Sequence, residues 1–204
     1  MELLSSVGIK ERLATLGDKA LFIEPLLDQS QIGEVSIDLR LGSDFLVSVL
    51  TRRAFISSMK SDDDYRGASS YFRTTRRELG DRFILYPGQI ALSCTLEYIG
   101  LPADVYADVI SRSSYTRLGL HINTMIQPGF RGCFALELFN HGNNPVELVV
   151  GSRICQSRLF VIGNVTTYSG TAQPRKYFGN VRPLTSRAAE DGDLDRLERI
   201  KERR

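Results

Sequence analysis

The chain is broken into short apolar runs, and that punctuation limits its fold more than any other feature. Residues 35–41, 45–50, 83–85, 90–96, 105–110, 133–139, 146–150 and 154–161 are rich in Val, Ile, Leu and Phe, and Gly, Pro or Asn recur between them. A typical helix needs about 10–12 residues, which none of these runs reaches. Strands of ~3–10 residues joined by turn residues fit them well. The pattern predicts a mainly β fold, a distorted β-barrel or jelly-roll. No internal repeat is visible.

At 204 residues, one domain or one domain with a tail is expected. The 42% hydrophobic content is enough for a core. A net charge of +2 argues against a dedicated nucleic-acid surface. No apolar run approaches the ~18–20 residues of a membrane helix, so no membrane partner is expected. The start, Met1-Glu2-Leu3-Leu4, lacks the basic residues of a secretory signal. Cys94, Cys133 and Cys155 are odd in number and widely spaced, which reads as reduced, mostly buried thiols in a cytoplasmic protein.

Two short helices are expected at the ends. Ser6 followed by Val7, Ile9, Leu13 and Leu16 reads as a capped N-terminal helix. Leu194, Leu197 and Ile200 share one face of a charged helical tail over 188–204, which would dock on the chain's own surface or on a neighbouring subunit. The β domain is then residues 1–187. Within it, residues 52–82 carry eight basic and five acidic side chains. That is too long and polar for an ordinary connection, and it reads as a solvated excursion, with a lid or partner surface as the other option.

Chemistry concentrates in two places. The run Ser111-Arg112-Ser113-Ser114-Tyr115-Thr116-Arg117-Leu118-Gly119-Leu120 sets hydroxyls and guanidinium groups around a turn. The run 127–140 is a Gln127-Pro128-Gly129 turn feeding a strand that is apolar from Cys133 to Phe139, apart from Glu137. A carboxylate in such a strand costs several kcal/mol if it is buried unpaired, so it needs a partner, a wet cleft or a chemical task. An edge-strand glutamate facing solvent is the plain alternative. For Arg112-Ser113-Ser114 the plain alternative is a turn cap, and Arg112 has a second one in pairing with a neighbouring acid.

At these residues the chain resembles the dCTP deaminases, the deaminase branch of the trimeric dUTPase superfamily. The Arg-Ser-Ser, Arg-Leu-Gly-Leu, Pro-Gly-Phe and Leu-Glu-Leu elements occur in the family's order. Ser36 to Gly42, Leu85-Tyr86-Pro87-Gly88, Leu101-Pro102-Ala103, Lys176-Tyr177 and Ser186-Arg187 resemble its other segments. The resemblance implies a dUTPase-type β fold and a homotrimer with shared sites. It implies hydrolytic deamination of dCTP, a pyrimidine nucleoside triphosphate, to dUTP and ammonia. Glu137 would be the general base, and Ser113 and Arg117 would hold the water and stabilise charge. Arg112, Ser114, Gln156 and Lys176 would bind the triphosphate. Ile126 and Gln127 lie in the segment that reads base and sugar, and Tyr177 and Asn180 lie in the closing segment. Zinc-dependent deaminases need a His/Cys ligand set that this sequence lacks, so no protein-bound metal is expected. Mg2+ would enter with the triphosphate.

The resemblance breaks at 121–127. This stretch is about three residues shorter than in the deaminases, and Gln127 replaces the aspartate that contacts the sugar. An amide donates as well as accepts, whereas a carboxylate only accepts. A dUTPase, a bifunctional enzyme that continues to dUMP, and a noncatalytic nucleotide sensor are the competing readings.

Overall fold

The structure, a computed structural model, describes residues 1–50, 55–58, 68–163 and 177–202. The elements run β1 (Glu2–Leu3), α1 (Ser6–Ala14), β2 (Phe22–Glu24), β3 (Ile37–Arg40), β4 (Asp44–Ser48), β5 (Phe72–Arg76), β6 (Arg82–Leu85), β7 (Ile90–Gly100) and β8 (Val105–Ser111). Then follow α2 (Ser113–Thr116), β9 (Leu120–His121), β10 (Asn123–Ile126), β11 (Arg131–Asn140), β12 (Val146–Val149), β13 (Arg153–Val161) and α3 (Gly192–Glu202). Every one of the eight apolar runs became a strand.

The strands form two larger antiparallel sheets and a small one rather than a closed ring. One sheet runs β1-β13-β8-β10, with β3 also on β13. The other runs β5-β4-β7-β11-β9, with β2 also on β7. β12 pairs with β6. Side chains alternate across each strand, as a two-residue period requires. On β8, Val105, Ala107 and Val109 are buried, and on β11 Phe134, Leu136 and Leu138 are buried. These inward faces meet Leu39, Leu41 and Phe45 in one core. Phe45 stacks on Phe83 with ring centroids 4.2 Å apart, tying the small sheet to the large one. Each such side chain contributes roughly 1.5–3 kcal/mol by leaving water.

β7 detours beside β11. The register passes from Cys133↔Tyr98 to Ala135↔Cys94, so three β7 residues stand opposite Phe134. Side chains replace the missing ladder bonds. The Phe134 amide donates to the Thr95 hydroxyl at 3.0 Å, and that hydroxyl donates to the Glu97 carbonyl at 2.8 Å. The fully buried Glu97 carboxylate accepts from the Arg40 amide and from Gln31 Nε2, both at 3.0 Å. A bulge extends over two residues here without reversing which face of β11 points outward.

Three expectations need adjustment. The N-terminal helix is capped by Ser5, whose hydroxyl accepts from the Gly8 amide, and Ser6 is its first residue. The far end of the 52–82 excursion is ordered strand: β5 pairs with β4 from Asp44↔Arg76 to Ser48↔Phe72. Residues 51–54 and 59–67 lie outside the described residues. The tail is helical as expected, but Leu197 and Ile200 on α3 are exposed, so its apolar face is not docked on this chain.

Candidate active site

A cavity of about 430 Å³ opens between the outward face of β11, the strand β10 and the segment 177–186. Its floor is Cys133, Ala135 and Glu137, which alternate on one face of β11. Its walls are apolar, with Ile90, Leu92, Met125 and Phe130. Of the described lining residues, Glu137 is the one carboxylate and Arg182 the one guanidinium. Burial among the apolar walls pushes the Glu137 carboxyl above its ordinary value. Glu137 pairs with Leu92 of β7 on one side, and β9 meets β11 only at Phe139 and Asn140. The Glu137 side chain stays partly open to solvent, so it sits at the mouth of the cavity and not in an enclosed core. It faces the cavity.

Residues 120–127 do not fold back on themselves as a hairpin. β9 pairs with β11, whereas β10 pairs with β8, so the chain crosses here from one sheet to the other. That crossing places Thr124, Met125, Ile126 and Gln127 on the cavity wall opposite Glu137. The Pro128-Gly129 turn is pinned by the Gly129 amide, which donates to the Pro102 carbonyl at 3.1 Å.

Segment 177–186 lies over the cavity as a strap. The Cys133 amide donates to the Asn180 carbonyl at 2.9 Å, and the Gly179 amide donates to the Arg131 carbonyl at 3.0 Å. Gly132 permits this approach. It has φ +144°, and a Cβ there would stand 2.6 Å from the Asn180 oxygen. The strap is fastened further by Arg182 to Asp44 at 3.7 Å and by the Cys94 thiol, which donates to the Val181 carbonyl at 3.5 Å. The Tyr177 hydroxyl accepts from the Arg187 amide at 3.1 Å.

The predicted site residues separate into two groups. Glu137, Ile126, Gln127, Tyr177 and Asn180 all line the cavity. Ser113, Arg117, Arg112, Ser114 and Gln156 do not. Ser113 and Ser114 begin α2 and are exposed, as is Arg117 at its end, and none of these three side chains has a hydrogen bond among the described residues. Arg112 occupies the N-cap position without a side-chain capping bond. Its guanidinium pairs with Asp38 at 3.4 Å and donates to the Arg153 carbonyl at 3.3 Å. Gln156 lies on β13, opposite Asp38 of β3 and Ile110 of β8. Lys176 lies outside the described residues.

Several cavity residues escaped sequence reasoning. Thr124 and Met125 belong to a strand of only four residues with no apolar run. Cys94 and Cys133 looked like ordinary core thiols, yet both reach the cavity. Arg182 follows the strap's glycine, and its sequence surroundings hold no periodic signal. Among the described residues no group of three or more His, Cys, Asp or Glu is placed to hold a metal ion, and no helix is long and apolar enough to cross a membrane.

The chain is similar to known proteins. The dCTP deaminase-like family model matches residues 3–161. The chain is 35% identical over 202 residues to a Methanobrevibacter smithii protein named dCTP deaminase, dUMP-forming, covering 95% of this chain and 99% of that one. It is 39% identical over 158 residues to a dCTP deaminase of Halorubrum lacusprofundi, covering 76% and 74%. The crystal structure of 2′-deoxycytidine 5′-triphosphate deaminase from Agrobacterium tumefaciens matches with a TM-score of 0.58 at 26% identity. That match covers 78% of this chain and 48% of the other, so the chain spans about half the length of that structure.

Proposed function

The chain belongs to the dCTP deaminase-like family, and from that premise we propose that it deaminates dCTP by hydrolysis, with Glu137 as the proton shuttle. The observation that carries this reading is Glu137 as the one carboxyl on the described lining of a cavity large enough for a nucleoside, opposite β10. Water adds to C4 of cytosine as its proton passes to Glu137. Glu137 hands that proton to the ring nitrogen N3, then takes the proton of the new C4 hydroxyl and delivers it to the amine as C4=O forms, the C4–N bond breaks and ammonia leaves. A carboxyl raised by burial is better matched to both halves of this exchange than an ordinary glutamate.

In this reading the backbone at Ile126 and the side chain of Gln127 read base and sugar, and Tyr177 and Asn180 close over them. Ser113 and Arg117 would hold the water and stabilise charge, while Arg112, Ser114, Gln156 and Lys176 take the triphosphate. These groups do not line the cavity of their own chain, so a neighbouring subunit of a homotrimer would supply them. Arg112 already has Asp38 as a partner and would be a pre-oriented phosphate ligand rather than a free one. Mg2+ needs about six oxygen ligands. The described cavity offers one carboxylate, so the triphosphate would bring and hold the ion.

The product is where the sequence reading changes. It ended at dUTP, whereas the Methanobrevibacter smithii relative, matched end to end, is named for forming dUMP. That name supports dUMP as the product, with dUTP passing through as an intermediate: dCTP and two waters yield dUMP, ammonia and pyrophosphate. One observation favours the second reading, release of dUTP. Gln127 stands where the dUTPases are expected to carry a water-activating aspartate, and Glu137 is the one carboxylate on the described lining. Incubation with dCTP and Mg2+ followed by chromatography separates the two. Ammonia with dUMP and pyrophosphate is the expected outcome, ammonia with dUTP alone supports the second reading, and bound but unchanged dCTP overturns both.

A further inference from the structure

Cys94 and Cys133 take no part in the deamination chemistry, yet they occupy the wall of the cavity. They come from adjacent strands at the irregularity between β7 and β11, where Cys94 stands opposite Ala135, two residues along from Cys133. Both line the cavity, Cys94 buried and Cys133 half-buried, and neither is in a disulfide. The two sulfurs lie close enough for each to shift the other's proton affinity. Cys94 is also the thiol that fastens the strap through the Val181 carbonyl, and the Cys133 amide fastens it through Asn180.

We propose that Cys94 and Cys133 form a dithiol modification site which a hydroperoxide converts into an intrachain disulfide, loosening the strap over the cavity. The two sulfurs divide the roles. The neighbouring Cys94 thiol holds Cys133 below its ordinary range, while Cys94 is held above its own, first by the Cys133 sulfur, then by burial and the Asp44 charge. Cys133 is therefore the sulfur that loses its proton first, and it is the one open to the cavity. Its thiolate attacks a peroxide oxygen, an S–O bond forms as the O–O bond breaks, and the alcohol or water leaves with a proton. Cys94 sulfur then attacks Cys133 sulfur, an S–S bond forms as the S–O bond breaks, and water leaves with the Cys94 proton. Two thiols lose two electrons and the peroxide gains them. Once in the disulfide, Cys94 has no proton left to donate to Val181.

Cys155 provides an internal control. It is fully buried and its thiol is pushed up, so it resists the same reagent.

The experiment treats the reduced full-length protein with hydrogen peroxide at a small excess, alkylates the remaining thiols and maps peptides without reduction. The expected product is one cross-linked peptide pair, Cys94 with Cys133, reversed by dithiothreitol, with Cys155 unmodified. Cys94→Ser should leave a Cys133 sulfenic acid that dimedone traps, and Cys133→Ser should leave Cys94 unoxidised. Protease cleavage within 177–187 should be about fivefold faster in the oxidised protein, the factor that loss of one hydrogen bond carries. Disulfides only between chains, oxidation of Cys155 first, or a Cys133 sulfinic acid without the cross-link would overturn the dithiol site. A cross-link with unchanged cleavage would overturn its link to the strap. Neither arm requires the protein to turn over dCTP.

Discussion

Burial raises the carboxyl of Glu97 as it raises that of Glu137, but the surroundings differ. Glu97 is enclosed and accepts from Arg40 and Gln31, and those bonds oppose the burial effect. Its task is to complete the hydrogen bonding of the β7 detour. Glu97→Gln places an amide N–H against the Arg40 N–H, and a cost of about 1–3 kcal/mol is expected. Glu97→Ala removes the acceptor outright and should cost ~3–5 kcal/mol, read from urea unfolding at unchanged slope. Glu137 faces the cavity with no bond to oppose its rise. Below its pKa the carboxyl is protonated and cannot accept the water's proton. The acid limb of kcat/KM should therefore lie above the ordinary glutamate value, and Glu137→Gln should lose ~10²–10⁴-fold in rate. Stability moves the opposite way. A carboxyl raised in the folded state favours folding at low pH, and that contribution is lost as pH rises through the raised value. Glu137→Gln should thus gain stability relative to wild type as pH rises through this window, and an unchanged difference would show that Glu137 is not desolvated. Glu137 was visible in the sequence because a lone charge in an apolar strand needs a reason. Cys94, Cys133 and Thr124 were not, because sheet register alone brings them to the cavity.

At the scale of elements, the eight apolar runs became strands because alternate burial on a two-layer core demands such runs. The strands that were missed are short or polar. β5, with sequence Phe72-Arg73-Thr74-Thr75-Arg76, has no fully buried residue and is held by backbone pairing to β4. β9 and β10 are two and four residues long, and what defines them is a crossing between sheets. No local period records such a crossing. The strap is likewise a product of tertiary geometry, made possible at Gly132. Gly132→Ala meets the Asn180 oxygen and an unfavourable φ together. It should free the strap, so the Cys133 amide, which bonds Asn180, should exchange with deuterium at least ~10-fold faster while the amides of β8 stay protected. Equal protection at Cys133 would mean that the strap does not depend on that contact.

For the molecule as a whole, the division of the site is the main result. One part of the chain carries a cavity with Glu137 and a strap, and the turn at α2 carries serines and arginines that do not line that cavity. The proposed homotrimer with shared sites would unite them, and closed symmetry would make every site the same. The measurement that tests this most directly is complementation. Glu137→Gln chains lack the proposed base, and Arg117→Ala chains lack the proposed charge stabiliser. Unfolded together in equal amounts and refolded, or co-expressed, they form mixed trimers with one intact site in three, which is about a quarter of all sites in the population. Ammonia release from dCTP should then return to roughly a quarter of the wild-type rate, although each variant alone is nearly inactive. Mixed assemblies of confirmed composition that release no more ammonia than the separate variants would contradict a site shared between subunits.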